Sequence, residues 1–320
     1  MKSIFKTLLL IALISATAVS AHAADSAGQA GAYLKMGVGA RALGMGGAFT
    51  AVADDSTAAF WNPAGLARMQ KSQASFMHAS LTEDRDFNFF NYAHALTDKN
   101  GNSKGVLAFS YIHMGVDGIP ETRESTNSPG MPATKADGTY TAGETVYIFS
   151  YFEDKETNTF ASYARELAEG FYAGVNVKYL KHELFKNKAD TFGLDLGLLY
   201  EYSDKITFGA SLRDINETLE WNTASGAKDD VPLTATFGIA YKATDKLLVA
   251  ADINKLERED AKLFLGAEYA IQDNVSLRVG SRDGDLTLGA SFGLDTWRFD
   301  YSYGDETLGD AHRISASKTF

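Results

Sequence analysis

The chain has no cysteine, which excludes disulfides, thiolate metal sites and a lipid-anchoring cysteine. Proline is scarce, five in 320 residues against 29 glycines, a balance that suits strands joined by tight turns. Basic residues are in the minority. Lys and Arg number 30 and Asp and Glu 41, for a net charge of −11. A surface that binds nucleic-acid phosphates needs an excess of Lys and Arg, so nucleic acid is excluded as a partner. The six histidines are scattered, with no HExxH and no close pair on a helix, and give no basis for a zinc site. There is no nucleophile elbow, kinase set or base-flanked serine, so neither an enzyme nor a cofactor is expected. Mean hydropathy is −0.17. That rules out a helical membrane bundle but not a barrel, half of whose wall faces a polar lumen.

The longest apolar run lies at the start. Lys2 and Lys6 precede Leu8 to Val19, and Ala21-His22-Ala23 gives the small-x-small pattern of a cleavage site. The run is shorter than the ~20 residues a spanning helix needs. It predicts a signal peptide over 1–23 and an exported chain. No later stretch is apolar enough to span as a helix, so any membrane residence must come from strands.

Period-two alternation dominates the remainder. Phe192, Leu194, Leu196, Leu198, Tyr200 and Tyr202 alternate with Thr191, Gly193, Asp195, Gly197, Leu199 and Glu201. Similar rows run through Ile206–Leu212, Leu233–Tyr241, Leu247–Ile253 and Trp297–Tyr303. One face is apolar; the other is glycine, hydroxyl and charge. A soluble sandwich and a transmembrane barrel both produce this pattern, with opposite faces turned to solvent. Three features favour the barrel. The segments run about ten residues, the length of a tilted membrane strand. Aromatics sit near their ends (Tyr200, Tyr202, Tyr241, Tyr269, and Trp297 with Tyr303), where interfacial rings are favoured. The chain stops at Phe320, on the row of Ile314 and Ala316. His312 and Lys318 share that row and weaken the last signal.

Counted back from Phe320, the strands are 311–320, 296–304, 285–293, 274–282, 261–270, 246–255, 231–241, 205–214, 188–202, 170–183, 157–168, 104–114, 86–96 and 72–80. The fold expected is all-β, a 14-stranded antiparallel transmembrane β-barrel, over 72–320. Single-chain bacterial barrels have even strand numbers. The leftover β-like run Thr145–Phe152 is therefore assigned to one long external loop, 115–156, as a strand extension or loop hairpin. With Pro120, Pro129 and Pro132, that loop is expected to be a mobile cap or, alternatively, a docking surface for a partner. Turns at 202–205, 243–245, 272–274 and 294–295 are short, and the connections 183–189, 216–230 and 304–310 are longer.

The inward face is predicted to collect Arg165, Lys178, Asp195, Glu201, Arg213, Asp252, Glu268, Arg278, Arg282, Arg298 and Asp300. Such charges can pair across the lumen, hold a plug or line a path. Leu199, Leu248 and Phe264 point inward on the same register. Asp283-Gly284-Asp285 lacks the rest of a calcium loop and reads as a hairpin turn. Gly37-Val38-Gly39 with Gly44 lacks the spacing and βαβ context of a dinucleotide site.

Before the strands stands Gly37-Val38-Gly39-Ala40-Arg41-Ala42-Leu43-Gly44-Met45-Gly46-Gly47-Ala48, followed by Ala53-Asp54-Asp55 and Trp61-Asn62-Pro63-Ala64-Gly65-Leu66. Its glycines permit close backbone approach. Asp54, Asp55 and Ser56 suit the start of a helical turn through Trp61. Asn62-Pro63 is a second start signal, cap followed by Pro at the first position. A compact segment of this kind fits inside a tube of strands, and a hatch is expected over 24–71.

These residues resemble the N-terminal signature of PorV/PorQ-type outer-membrane proteins, within the wider FadL-like group, whose hatch carries a similar Asn-Pro-Ala. The resemblance implies a bacterial outer-membrane barrel surrounded by lipid. For FadL-like members it implies passive passage of small hydrophobic compounds. For PorV it implies a protein-binding part in type IX secretion, with secretion-system proteins as partners. Asn62, Pro63 and Ala64 are either a plain helix cap or part of a hatch whose shift opens a passage. Arg41, Asp54 and Asp55 complete the candidate hatch site, with Arg41 and Asp54 expected to tie hatch to wall.

Overall fold

A computed structural model describes residues 30–31, 36–81, 85–124, 146–306 and 309–320. The expected signal peptide and the first part of the hatch lie outside these residues. The strands in chain order are β1 (Gln73–Ser80), β2 (Arg85–Thr97), β3 (Ser103–Glu124), β4 (Val146–Ala168), β5 (Phe171–Leu184), β6 (Asn187–Glu201), β7 (Ile206–Ile215), β8 (Thr218–Trp221), β9 (Lys228–Asp230), β10 (Thr234–Lys242), β11 (Leu247–Leu256), β12 (Ala261–Gln272), β13 (Val275–Arg282), β14 (Asp285–Leu294), β15 (Trp297–Glu306) and β16 (Gly309–Thr319). Each pairs antiparallel with its neighbours, and β5–β6 and β1–β16 complete the ring. The hairpin β8–β9 hangs on β6 through Ala189↔Trp221 and Asp190↔Glu220, which leaves fourteen strands in the wall. Closure gives each wall strand a partner on both sides, the condition for strands to stand in lipid. No helix among the described residues is long and apolar enough to cross a membrane.

The faces are those the alternation predicts. Outward stand Phe76, Phe90, Phe109, Phe192, Leu194, Leu196, Leu198, Ile253, Leu265, Leu277, Leu288 and Ile314, all exposed. So continuous an apolar surface is a lipid-facing band and not a soluble exterior. Tyr92, Tyr202, Tyr241, Tyr269, Trp297 and Phe320, also exposed, gather at the rim that carries the short turns, where amphipathic rings meet the interface. Inward stand Asn91, Ser110, Asn158, Asn176, Lys178, Asp195, Asp252, Arg278 and Asp300, all buried.

Two expectations are corrected. Half of 115–156 is strand and not loop: β3 runs on to Glu124 and β4 starts at Val146, so residues 146–152 extend β4, the first of the two alternatives for that run, and 125–145 lie outside the described residues. Pro120 sits within β3, paired with Tyr151; Pro129 and Pro132 lie outside the described residues, as does the cap they were to form. The predicted loop 183–189 shrinks to a tight turn, because β5 and β6 pair out to Leu184↔Asn187 and Phe185 takes a positive φ of 56°.

One irregularity bears on the site. β7 pairs with β6 only as far as Leu194↔Ile215. Asp214 (φ 63°) and Asn216 (φ 57°) then turn the chain away from the wall, and Glu217, Leu219 and Val231 become buried.

Candidate functional site: the lumenal hatch

Residues 36–71 fill the lumen. Val38, Ala40, Met45, Ala48, Phe49, Ala53, Ala58, Ala59, Ala64 and Leu66 are wholly buried. The small side chains the sequence supplies here are what allow it. α1 (Ala40–Gly44) and α2 (Ala58–Trp61) are single turns, followed by a 3-10 turn at Pro63–Arg68. The second start signal is realised: Asn62 Oδ1 accepts Ala64 N–H at 3.2 Å, with Pro63 in the first position. The first signal is shifted. Thr57, not one of residues 54–56, flanks α2, and Asp55 Oδ1 accepts the Thr57 N–H at 2.9 Å.

Hydrogen bonds moor this segment around the barrel. Ala40 N–H donates to Ser315 of β16 at 2.8 Å, and Ser56 N–H to Gln73 of β1 at 2.9 Å. Asn176 of β5 donates to the Ala59 carbonyl at 2.7 Å. Asn62 Nδ2 donates both to Thr50 O at 2.9 Å, within the hatch, and to Leu198 O of β6 at 3.0 Å. Asp252 of β11 accepts the N–H groups of Phe49 and Thr50.

Contact this close needs a wall without side chains. Gly174, Gly197, Gly209, Gly238, Gly266 and Gly280 lie on the inward faces of β5, β6, β7, β10, β12 and β13. They face one another across the ladders as Gly174↔Gly197, Gly209↔Gly238 and Gly266↔Gly280. A Cβ on Gly197 would overlap Asn62 and Pro63, and one on Gly174 would overlap the Pro63–Ala64 backbone. Alternate glycines on the polar rows of the sequence were the available signal for this belt.

A charge chain runs from hatch to wall. Arg41 pairs with Asp54 and, at 3.2 Å, with Asp55, both of the hatch, and with Glu268 of β12 at 2.9 Å. Glu268 also binds Arg278 of β13 at 2.5 Å and Arg298 of β15 at 3.6 Å; both arginines reach Asp300, at 3.0 and 3.1 Å. Burial works against the Arg41 charge, but Asp54, Glu268 and Asp55 together hold its pKa above the ordinary arginine range. Arg41 thus joins hatch to wall directly; Asp54 does so only through Arg41. Arg68 adds a tie to Glu201 at 3.0 Å.

Of the predicted inward charges, Arg165 is the exception: it falls on the outward parity of β4 beside buried Ala164 and is exposed. Leu199 and Phe264 are buried, and Leu248 is partly so. Sequence reading missed Asp214 and Glu217, which join Asp195 around the buried Lys178 ammonium. Asp283-Gly284 is the tight β13–β14 turn. Among the described residues no cluster has the makings of a metal site.

Above the hatch, toward the rim opposite the short turns, the inward wall carries an apolar cluster set among the buried polar Ser110, Glu156, Asn158 and Lys178. Phe87 and Phe89 of β2, Ile112 and Met114 of β3, Phe160 of β4 and Leu180 of β5 are buried in one cluster with Leu219 and Val231 of the inturned segment and with Phe60.

The chain matches no protein-family model and no curated protein. Its fold is similar to solved barrels. Similarity to the toluene transporter TodX of Pseudomonas putida has TM-score 0.56 at 14% identity and covers 88% of this chain and 97% of that one. For the CymD monoaromatic hydrocarbon channel the values are 0.58, 15%, 89% and 98%. For a FadL homologue of Pseudomonas aeruginosa they are 0.53, 13%, 86% and 96%. The FadL-like part of the sequence resemblance is thus met at the level of fold; nothing in these comparisons supports its PorV/PorQ part.

Proposed function

We propose that this protein is a bacterial outer-membrane barrel that admits small hydrophobic compounds passively. The observation that carries the reading is the apolar cluster of Phe87, Phe89, Ile112, Met114, Phe160 and Leu180 on the inward side of the wall. A water-filled pore is lined with polar groups, and a lumen lined with aromatic and aliphatic side chains attracts an apolar solute instead. The hatch below stops free flow of water-soluble compounds. The similar structures are described as a toluene transporter and a monoaromatic hydrocarbon channel, which agrees with an apolar passenger.

On this reading the working units are a signal peptide over 1–23, a hatch over 24–71 and a barrel over 72–320. Arg41, Asp54, Asp55, Asn62, Pro63 and Ala64 are the residues whose contacts must change when the hatch shifts. An apolar passenger has a second way out, sideways into lipid, and the break in the ladder beyond Leu194↔Ile215 is where the wall is least tied. The test is entry of labelled toluene and of a small sugar into intact bacteria with and without the barrel. Faster toluene entry with unchanged sugar entry supports the reading. Toluene entry equal to that of cells lacking the barrel sinks it.

A further inference from the structure

Arg213 stands out among the inward charges. It lies on β7 and is 7% exposed. Its Nε and Nη1 are enclosed and donate to no acceptor, and the side chain has no ion pair among the described residues. Enclosing a guanidinium without an acceptor is costly. Arg213 does meet an aromatic face: the guanidinium carbon lies 4.7 Å from the centre of the Phe60 ring. Phe60 belongs to the hatch. It also meets the Trp61 ring, edge-on at 5.2 Å and 80°, and Trp61 is itself fixed by a 2.9 Å bond from its indole N–H to Val38 O.

The carboxylates nearby do not serve Arg213. Asp195, Asp214 and Glu217 all converge on Lys178. Three acids against the Lys178 ammonium and the Arg213 guanidinium leave this stretch of wall without excess positive charge, which disfavours an anionic ligand beside Arg213. A neutral ring meets no such penalty. The side chain of phenylalanine is a benzyl group, so the space filled by Phe60 is already that of toluene.

We propose that the face of Arg213 is an aromatic-ring site, filled by Phe60 while the hatch is closed, and that a neutral single-ring hydrocarbon competes with Phe60 for it. The proposal rests on the transport reading above. It makes Arg213 a specificity-determining residue and Phe60 the hatch's own stand-in for the passenger. A ring that takes the guanidinium face removes one of the hatch's attachments as it binds, so occupancy and hatch release are linked.

The experiment compares toluene with methylcyclohexane, of similar size but without a π face, entering intact bacteria; entry into cells lacking the barrel is subtracted. The wild-type barrel is expected to pass toluene several-fold faster. Arg213→Met, which keeps an apolar stem and loses the cation, brings the ratio close to one, and Arg213→Lys retains part of it. Phe60→Leu, which removes the competing ring, lowers the toluene concentration for half-maximal entry. Equal wild-type rates for the two hydrocarbons overturn the ring site and leave the transport reading standing. Absence of barrel-dependent entry for both overturns the transport reading and the site with it. Benzoate entering faster than toluene, with the advantage lost in Arg213→Met, overturns the ring assignment in favour of an anion site.

Discussion

The carboxylate of Asp252, on β11, holds the backbone N–H of Thr50 at 2.9 Å, and the same oxygen takes the N–H of Phe49 at 3.0 Å. Both donors are buried in the hatch, and the acid comes from the wall. A hydrogen bond to a charged group contributes about 1.5–3 kcal/mol, and a buried donor left without an acceptor costs about 1–3 kcal/mol. Asp252→Ala removes both bonds at once and is expected to loosen the hatch while the strand ladder persists. Asp252→Asn keeps an acceptor oxygen and is expected to be milder. Limited proteolysis in detergent reads this directly: cleavage within residues 36–71 should speed up at least tenfold in the alanine variant. Cleavage no faster than in the wild type would show that this acid does not hold the hatch.

The glycine belt makes a prediction of the opposite kind, in which an added atom does the damage. In Gly197→Ala the new methyl overlaps Asn62 Oδ1 and Pro63, neither of which is the free end of a flexible chain. The hatch must shift from β6, and the Asn62–Leu198 bond of 3.0 Å is lost with it. Entry of small polar solutes should rise. Gly293→Ala is the control: the nearest atom to its Cβ lies 3.6 Å away, on Asn274, and permeability should stay at the wild-type level. Equal permeability of the two variants would mean that the hatch does not depend on contact with this wall.

Arg41 and Glu268 form the link between hatch and wall, with side chains 11% and 14% exposed. Removing one partner of a buried pair leaves a charge uncompensated, at a cost of about 3–5 kcal/mol. The two removals are not equivalent. Arg41→Gln leaves Glu268 with Arg278 and Arg298 for company. Glu268→Gln leaves three guanidinium groups facing one another, with Asp54, Asp55 and Asp300 on the flanks. Glu268→Gln should therefore lower the melting temperature in detergent more than Arg41→Gln. The double variant should be less damaged than the sum of the singles, since the residues share one interaction. Additive losses would deny the coupling.

How much of this was legible beforehand follows from which residues answer to lipid. Phe192 to Leu198 alternate with Gly193 to Gly197 because one face meets hydrocarbon and the other does not, and that contrast is written residue by residue. Alternation fades where both faces are polar, as at Asp117-Gly118 and Glu153-Asp154, and there β3 and β4 were read as loop. The hatch was visible in its small residues and in Asn62-Pro63. Its moorings were not: Gly197 opposite Asn62, or Asp252 beneath Thr50, are meetings of segments 135 or more residues apart in the chain. Asp214 and Glu217 escaped notice for a local reason. Only the positive φ at Asp214 and Asn216 turns them toward Lys178, and although Asp and Asn favour that conformation, nothing in the sequence says which of its many Asp and Asn residues adopt it.

Glu217, outside the membrane-spanning strands, gives the dependence on pH. Burial raises its pKa above the usual carboxylate range; Lys178 opposes the shift, and Asp214 and Asp195 reinforce it. The sign follows by linkage. A carboxyl whose pKa is higher folded than unfolded binds its proton more tightly in the folded state. Stability is then unaffected below the unfolded value, falls as pH rises through the interval between the two values, and levels off above the folded one. The segment carrying Glu217 turns inward against Gly193, where a Cβ would overlap its carboxylate, so the loss is expected first in the packing of Leu219 and Val231. Melting temperature in detergent should decline from mildly acidic toward alkaline pH, and Glu217→Gln, fixed in the neutral form, should flatten that decline. A decline of equal slope in both proteins would place the titrating group elsewhere.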